Sequence, residues 1–378
     1  MSQYDAIKGY AEEKLEALRR KDLSRNLVPT ARRKNGRIMR DDKPLICFCD
    51  NDYLGLSQDP RIIDAAARAL EKFGAGSGAS RLIVGDCPLN SVVEEKVAKI
   101  KGMEAARLFG SGYLANIGVI PALVGACDLI LIDELAHSCL HMGARLSGAN
   151  ILTFRHNDVD HARSLLGDKI HGQKILLLTE TIFSMDGDAA PLEELSALCD
   201  QSDAWLMTDD AHGFGVVDLE NPAPIQMGTF SKAVGAYGGY VCGPSALIDL
   251  LTSRARSFVY TTGLPPAVLG AISRSLDIIA VEPSLGRKAI RNAQLFADLI
   301  GHNAPIESAI LPVIIGDSKK TVLLSKALQE EGFLVSAIRP PTVPDGTARL
   351  RFTFSSAHEE TDIRALASAY KKVITENL

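Results

Sequence analysis

Trp205-Leu206-Met207-Thr208-Asp209-Asp210-Ala211-His212-Gly213 opens the stretch that decides the reading of this chain, and Thr229-Phe230-Ser231-Lys232 closes it. The run 205–207 has the bulk of a buried strand. Two carboxylates and a histidine follow it directly. A short polar loop with Pro222 and Pro224 then leads to one lysine, with Gly235, Gly238 and Gly239 close behind. A carboxylate at a strand end can keep a pyridinium nitrogen protonated. A lysine one loop further on can form a Schiff base with an aldehyde. Together these groups suit pyridoxal phosphate (PLP). Asp209 stands directly after the strand and is the expected partner of the ring nitrogen. His212, three residues on, is expected to reach the ring's phenolic oxygen.

Outward from this stretch, apolar runs at 106–109, 128–132, 150–154, 174–178, 205–208 and 239–242 alternate with helix-like segments such as 116–124 and 191–199. That alternation predicts an α/β fold, with a mostly parallel central sheet and helices on both faces. Upstream, Ile7, Tyr10, Leu15 and Leu18 recur at helical spacing in 3–22. Residues 36–49 read as a hairpin turning at Asp41-Asp42. Residues 51–56 read as a loop, 60–73 as a helix opened by Pro60, and 91–101 as another helix. Downstream, 283–302, 319–331 and 360–375 read as helices, and 309–315, 335–338 and 349–354 as strands. The expected division is an N-terminal helix and hairpin segment (1–45), a large PLP-binding α/β domain (46–275) and a smaller C-terminal α+β domain (276–378).

Composition bounds the function. The 378 residues are 46% hydrophobic and 23% charged, with a net charge of −5. This is the profile of an ordinary globular enzyme, and without a long basic block nucleic acid is not an expected partner. No run reaches the ~18 apolar residues of a membrane span. Residues 1–25 are too charged for a secretory signal. Seven scattered cysteines, an odd number, fit reduced thiols better than a disulfide framework. A cytoplasmic location is the expectation.

Other motifs supply further candidates. Gly74-Ala75-Gly76-Ser77-Gly78-Ala79 matches a dinucleotide pattern, but a helix precedes it where a strand is required. Gly110-Ser111-Gly112-Tyr113-Leu114-Ala115-Asn116 follows a strand and opens a helix, so its backbone N–H groups can attract a phosphate; a plain strand-to-helix turn is the alternative. Tyr113 can lay its ring near the cofactor. His137 lies past the end of a strand, where α/β sheets bind ligands, and can stack on a flat ring. Glu180 and Ser184 follow another strand, and Asp186-Gly187 signals a turn. A metal site at Asp209, Asp210 and His212 lacks further ligands, so no metal is expected. Arg349 and Arg351 share one face of a C-terminal strand and need anionic partners. One of them can hold an amino-acid carboxylate.

Taken together, these motifs resemble the α-oxoamine synthases, a fold-type-I PLP family of aspartate aminotransferase-like architecture. The matching pieces are NDYLGL at 51–56, SGYLAN at 111–116, ELAHSC at 134–139, FRHND at 154–158, TETIFSMDGD at 179–188, TDDAHGFG at 208–215, TFSK at 229–232 and SSAH at 355–358. The resemblance implies that Lys232 is the Schiff-base lysine, Asp209 the ring-nitrogen partner, His212 the group near the phenolic oxygen and His137 the stacking residue. It implies a cofactor cradle of Ser111, Gly112, Tyr113, Glu180, Ser184 and Thr229. Asn51, Arg25 and Arg349 fall on the substrate side. Thr261 and Thr262 match a phosphate contact supplied by the neighbouring subunit, which implies a homodimer with shared active sites.

The stretches 337–344 and 346–351 are most similar to the branch that condenses L-alanine with pimeloyl-CoA, or the corresponding acyl-carrier-protein thioester, in biotin biosynthesis. The implied activity is therefore that of a PLP-dependent acyltransferase. Glycine or serine with another acyl-CoA is the alternative within the family, and a catalytically silent binding subunit is the alternative outside it. Two departures stand out. Asn90 replaces a usual histidine, and the link from Gly215 to Thr229 is shorter than usual.

Overall fold

The computed structural model describes residues 2–20, 23–166 and 172–377. Helix α1 (Gln3–Arg20) buries none of its residues. Its apolar stripe meets no core of its own chain, and Ile7 and Tyr10 stay more than half exposed. Strands β1 (Thr30–Arg32), β2 (Arg37–Arg40) and β3 (Lys43–Cys47) form an antiparallel ribbon. Asp41 and Asp42 both adopt positive φ, 50° and 56°. A type I′ hairpin turn requires that geometry, and Asp tolerates it.

Helix α2 (Pro60–Phe73) starts as its sequence dictates. The Asp59 side chain accepts the Arg61 N–H at 2.8 Å, and Pro60 fills a first-turn position where no N–H is needed. Helix α3 is Leu89–Lys101. The central sheet comprises β4 (Ala105–Phe109), β5 (Leu129–Asp133), β6 (Asn150–Phe154), β7 (Ile175–Glu180), β8 (Trp205–Asp209), β9 (Ile225–Thr229) and β10 (Gly239–Gly243), in the spatial order β4-β10-β9-β8-β7-β5-β6. From β9 to β6 every pairing is parallel, while β10 runs antiparallel to both its neighbours. Helices α4 (Gly112–Leu123), α5 (Ser138–Ser147), α6 (Val159–Leu165) and α7 (Leu192–Gln201) connect strands. Helices α8 (Ser245–Arg254), α9 (Arg256–Val259) and α10 (Pro266–Val281) follow β10. Tyr240 and Cys242 pack with α3 and α10, while Val241 between them packs with α4 and α8. The sheet is thus covered on both faces, as expected.

Strand β9 lies where the sequence reads as a short polar loop with Pro222 and Pro224, between Gly215 and Thr229. All five of its residues are buried. The Gln226 Nε2 group donates inside to the carbonyls of Asn221 (2.9 Å) and Ala223 (3.1 Å). Gly228 leaves space filled by the Tyr240 ring. A buried glutamine and a glycine erase the apolar run that marks the other strands.

Helix α11 (Ser284–Ile300) leads to β11 (Ile310–Gly316), α12 (Ser318–Glu330), β12 (Phe333–Leu334), β13 (Ser336–Ile338), β14 (Ala348–Thr353) and α13 (Glu360–Asn377). Strands β11, β14 and β13 make an antiparallel sheet. Strand β12 instead pairs in parallel with β3 and ties the N-terminal hairpin to this layer. Phe48 is fully buried there, 5.6 Å from the Phe354 ring and 4.2 Å from the His358 ring. No helix among the described residues is long and apolar enough to cross a membrane.

His358 gives this junction a pH dependence. Its Nδ1 accepts the Ser355 N–H at 3.1 Å, so Nε2 carries the proton and donates to the Cys47 carbonyl at 2.9 Å. The buried ring is neutral, and burial lowers its pKa to about 4. The unfolded chain takes up this proton below pH ~6.5, the folded chain only near 4. Stability from this group is therefore lost as the pH falls through that window, by about 3 kcal/mol. Denaturant melts from pH 7 to pH 4.5 are expected to show that loss, with a flatter profile for His358→Gln.

Candidate active site

Strands β5, β7, β8 and β9 end at one edge of the sheet, and the residues just beyond them converge. Asp209 ends β8 with 3% of its surface exposed. Its Oδ2 accepts from Asn116 Nδ2 at 2.9 Å and its Oδ1 from the Ala211 N–H at 3.0 Å. It forms no ion pair among the described residues. Burial raises its pKa, opposed by the charge of Lys232. Asp210 points to the other side, where Lys101 Nζ (2.7 Å) and the Thr181 hydroxyl (2.6 Å) hold it. There it borders a cavity of about 380 Å³ beneath the helix-free 210–224 connection.

Lys232 Nζ lies 2.7 Å from His212 Nε2, and His212 Nδ1 lies 2.7 Å from the Tyr53 hydroxyl. The Tyr53 hydroxyl donates to Asn51 Oδ1 at 3.1 Å. Its oxygen therefore accepts from His212 Nδ1–H, which leaves Nε2 to accept from Lys232. Arg351 Nη2 approaches the same oxygen at 3.4 Å. The result is a directed chain Lys232–His212–Tyr53–Asn51. Burial, then the charge of Lys232, keeps His212 well below its ordinary pKa. Burial also lowers Lys232, against the pull of Asp209 and Glu180. Burial pushes Tyr53 up to about 12.

His137 caps α5, its Nδ1 accepting the Cys139 N–H at 3.3 Å and lying 2.8 Å from Cys139 Sγ. Its backbone N–H donates to Glu180 Oε1 at 2.6 Å. Glu180 is raised well above the usual carboxylate range by burial and by Asp209.

Ser111 caps α4, accepting the Leu114 N–H at 3.1 Å. A Cβ at Gly112 would sit 3.3 Å from Thr229 Cβ, so the helix start abuts the end of β9. The Thr229 hydroxyl donates to the Gly238 carbonyl at 2.8 Å and lies 2.9 Å from the Ser231 hydroxyl. Tyr113 is 44% exposed. Ser184 is buried, and its carbonyl accepts from Arg351 Nε at 2.5 Å.

The two arginines differ from the expectation. Arg349, assigned to the substrate, is ion-paired with Asp186 and donates to the Met185 carbonyl at 3.3 Å. Arg351 instead faces Asn51 Oδ1 (3.4 Å) and the Tyr53 hydroxyl. Only 5% exposed, it has no carboxylate partner among the described residues. Arg25 lies exposed on the irregular segment 23–29 and forms no ion pair among the described residues. Thr261 and Thr262 line a crevice with Arg81, Asn90 and Gly110, and no hydrogen bond joins them to Lys232, Asp209 or His212. Sequence reasoning did not assign Tyr53 or Asn116 a site role, although each lies inside a quoted motif, and it left Arg351 as one of two candidates for the carboxylate.

A family model described as aminotransferase class I and II matches residues 43–369. An 8-amino-7-oxononanoate synthase of Methylobacterium nodulans is 52% identical, with 97% of each chain covered. One from Methylorubrum extorquens is 51% identical, over 99% of this chain and 98% of its own. The chain belongs to the α-oxoamine synthase family of PLP-dependent acyltransferases. In structure it is similar to a serine palmitoyltransferase of S. paucimobilis (TM-score 0.91, 26% identity, 100% and 99% of the two chains covered). It is also similar to an 8-amino-7-oxononanoate synthase of Francisella tularensis (TM-score 0.74, 26% identity, 88% and 99% covered).

The donor set fits the family's cofactor. A buried carboxylate with no cationic partner among the described residues suits a protonated ring nitrogen, the partly buried amine of Lys232 acts on the carboxylate's charge, and the helix start at Ser111-Gly112 offers backbone donors to a phosphate. Because Asp209 and Asp210 face opposite sides, their substitutions are expected to separate. Asp209→Asn lowers kcat/KM by at least ~10²-fold. Asp210→Asn chiefly lowers the melting temperature. Steady-state kinetics and calorimetry on both variants measure that split.

Proposed function

We propose that this enzyme condenses L-alanine with pimeloyl-CoA, or the corresponding acyl-carrier-protein thioester. The products are 8-amino-7-oxononanoate, CoA (or the free carrier) and CO₂, in biotin biosynthesis. One observation carries the amino-acid half: Arg351, a buried guanidinium beside Asn51 and Tyr53 with no carboxylate partner among the described residues. Such a group calls for an anion. The identity of the acyl half rests on the likeness to 8-amino-7-oxononanoate synthases.

When bound, PLP supplies an electron-accepting ring that stabilises negative charge at the amino acid's α-carbon. The chain's residues do the rest. Ser111, Gly112 and the Thr229–Ser231 hydroxyl pair bind the phosphate, and Tyr113 and Ser184 border the same pocket. Asp209 holds the proton on the ring nitrogen, His212 binds the phenolic oxygen and His137 packs on the ring face. Glu180 fixes the backbone of His137. Arg351 and Asn51 bind the substrate carboxylate, and Arg349 stays with Asp186. Lys232 removes the α-proton and later returns a proton to that carbon. Its lowered pKa brings the free amine closer to neutral pH.

The TM-score of 0.91 to a serine palmitoyltransferase favours a second reading, serine with a longer acyl-CoA. A matrix of alanine, glycine and serine against several acyl thioesters, read by thiol release, separates the two. Alanine with the pimeloyl thioester is expected to give the highest kcat/KM. Turnover with serine or glycine alone defeats the first reading.

We also propose a homodimer in which Thr261 and Thr262 reach the neighbouring cofactor's phosphate. Ser80 bridges to Thr262, so segments carrying the exposed Ile83, Val84 and Tyr260 lie side by side. Large apolar side chains exposed on neighbouring segments suit an interface. The apolar stripe of α1 offers further surface to the second copy. Sedimentation velocity is expected to give twice 40.6 kDa. A monomer at micromolar concentration counts against shared sites.

A further inference from the structure

His156, in the FRHND motif, touches none of the groups assigned above, yet it joins two turns that carry them. Its Nδ1 lies 3.1 Å from Asp133 Oδ1 and its Nε2 2.8 Å from Asp188 Oδ2. A ring with a carboxylate on each nitrogen donates from both, and so is an imidazolium. Burial disfavours that charge, but the two aspartate hydrogen bonds outweigh it and raise the pKa to about 10. The Phe183 ring packs edge-on against the imidazole at 4.4 Å.

On one side, Asp133 is fully buried at the end of β5 and organises the turn before His137. Its Oδ1 also accepts the Leu135 N–H at 2.8 Å, and its carbonyl accepts the Ala136 N–H at 3.1 Å. On the other side, Asp188 closes the turn 182–189, where Ile182 bridges Ala189 and the Asp188 carbonyl accepts the Phe183 N–H at 3.0 Å. That turn presents the Ser184 carbonyl to Arg351 and Asp186 to Arg349. Asn157, held at φ 55°, reinforces both sides. Its N–H donates to Asp133 Oδ2 at 2.9 Å, and its amide donates to Asp188 Oδ2 at 3.1 Å.

We infer that His156 is a positioning residue for amino-acid binding, a cationic clamp between Asp133 and Asp188 that sets the 182–189 turn and, through the Ser184 carbonyl, the aim of Arg351. The inference rests on Arg351 being the carboxylate anchor. It assigns His156 no contact with substrate. Displacing a buried bidentate donor by a fraction of an ångström weakens carboxylate binding while leaving the thioester side in place.

The test uses the PLP-loaded enzyme and L-alanine binding followed by isothermal titration calorimetry, with steady-state kinetics alongside. His156→Gln keeps one donor and loses the charge. It is expected to raise the alanine dissociation constant ~10-fold, with the KM for the thioester unchanged. Asp188→Asn, at a partly exposed position less prone to misfolding, is expected to shift alanine binding in the same direction. In an Arg351→Ala background the His156→Gln effect on alanine is expected to vanish, because coupled residues are non-additive. A purely structural role lowers the melting temperature but moves both substrates alike. Unchanged alanine affinity in both clamp variants, equal weakening of both substrates, or full additivity with Arg351→Ala overturns the inference. Arg351→Ala with undiminished alanine affinity overturns the anchor reading and this inference with it. Weakening in Arg351→Ala without weakening in the clamp variants overturns the inference alone.

Discussion

Asp209 is a carboxylate buried at the end of a parallel strand, with no cation bonded to it among the described residues. A charge in that position is costly unless the surroundings compensate it, and much of the site does so. Asn116 and the Ala211 N–H donate to it, and the amine of Lys232 opposes the effect of burial on its pKa. The parallel strands β5, β7 and β8 bring His137, Glu180 and Asp209 to one edge because their crossovers return each chain in the same direction. The site exists where it does because those strands end together.

The C-terminal layer completes the site from the opposite side. It is tied to the large sheet's turns by Arg349 on Asp186 and Arg351 on the Ser184 carbonyl, and to the N-terminal hairpin by β12 on β3. The loop 51–56 therefore meets both layers. Tyr53 touches His212 from the large sheet and Arg351 from the C-terminal one. The chemistry proposed for Lys232 and the binding proposed for Arg351 are joined through this phenol, so the relative placement of the two layers is a catalytic variable.

Most of the architecture was legible in the chain. The apolar runs ending in polar clusters located six of the seven central strands, because strands buried on both faces carry little besides apolar residues. Strand β9 escaped because its glutamine finds acceptors only in the folded loop before it. Helix α1 was legible as amphipathic, but its period did not say whether its own chain would cover the stripe, and it does not. Asp209 was separable from Asp210 because it stands directly after the apolar run 205–208, and in the fold the two successive residues face opposite ways.

The sequence by itself determined the α/β class and the order of its elements. It also determined which residue types stand at the ends of the central strands, because periodicity and turn chemistry are local properties. Tertiary structure alone decided how the charges are partnered. Arg349 and Arg351 share a strand face and are indistinguishable by spacing. One meets Asp186, and the other meets Asn51 and Tyr53, from segments some 160 and 300 residues away. His156 was likewise a lone histidine in a motif until the fold set a carboxylate against each of its nitrogens. Charge pairing depends on distance in space, and only the packed chain fixes that distance.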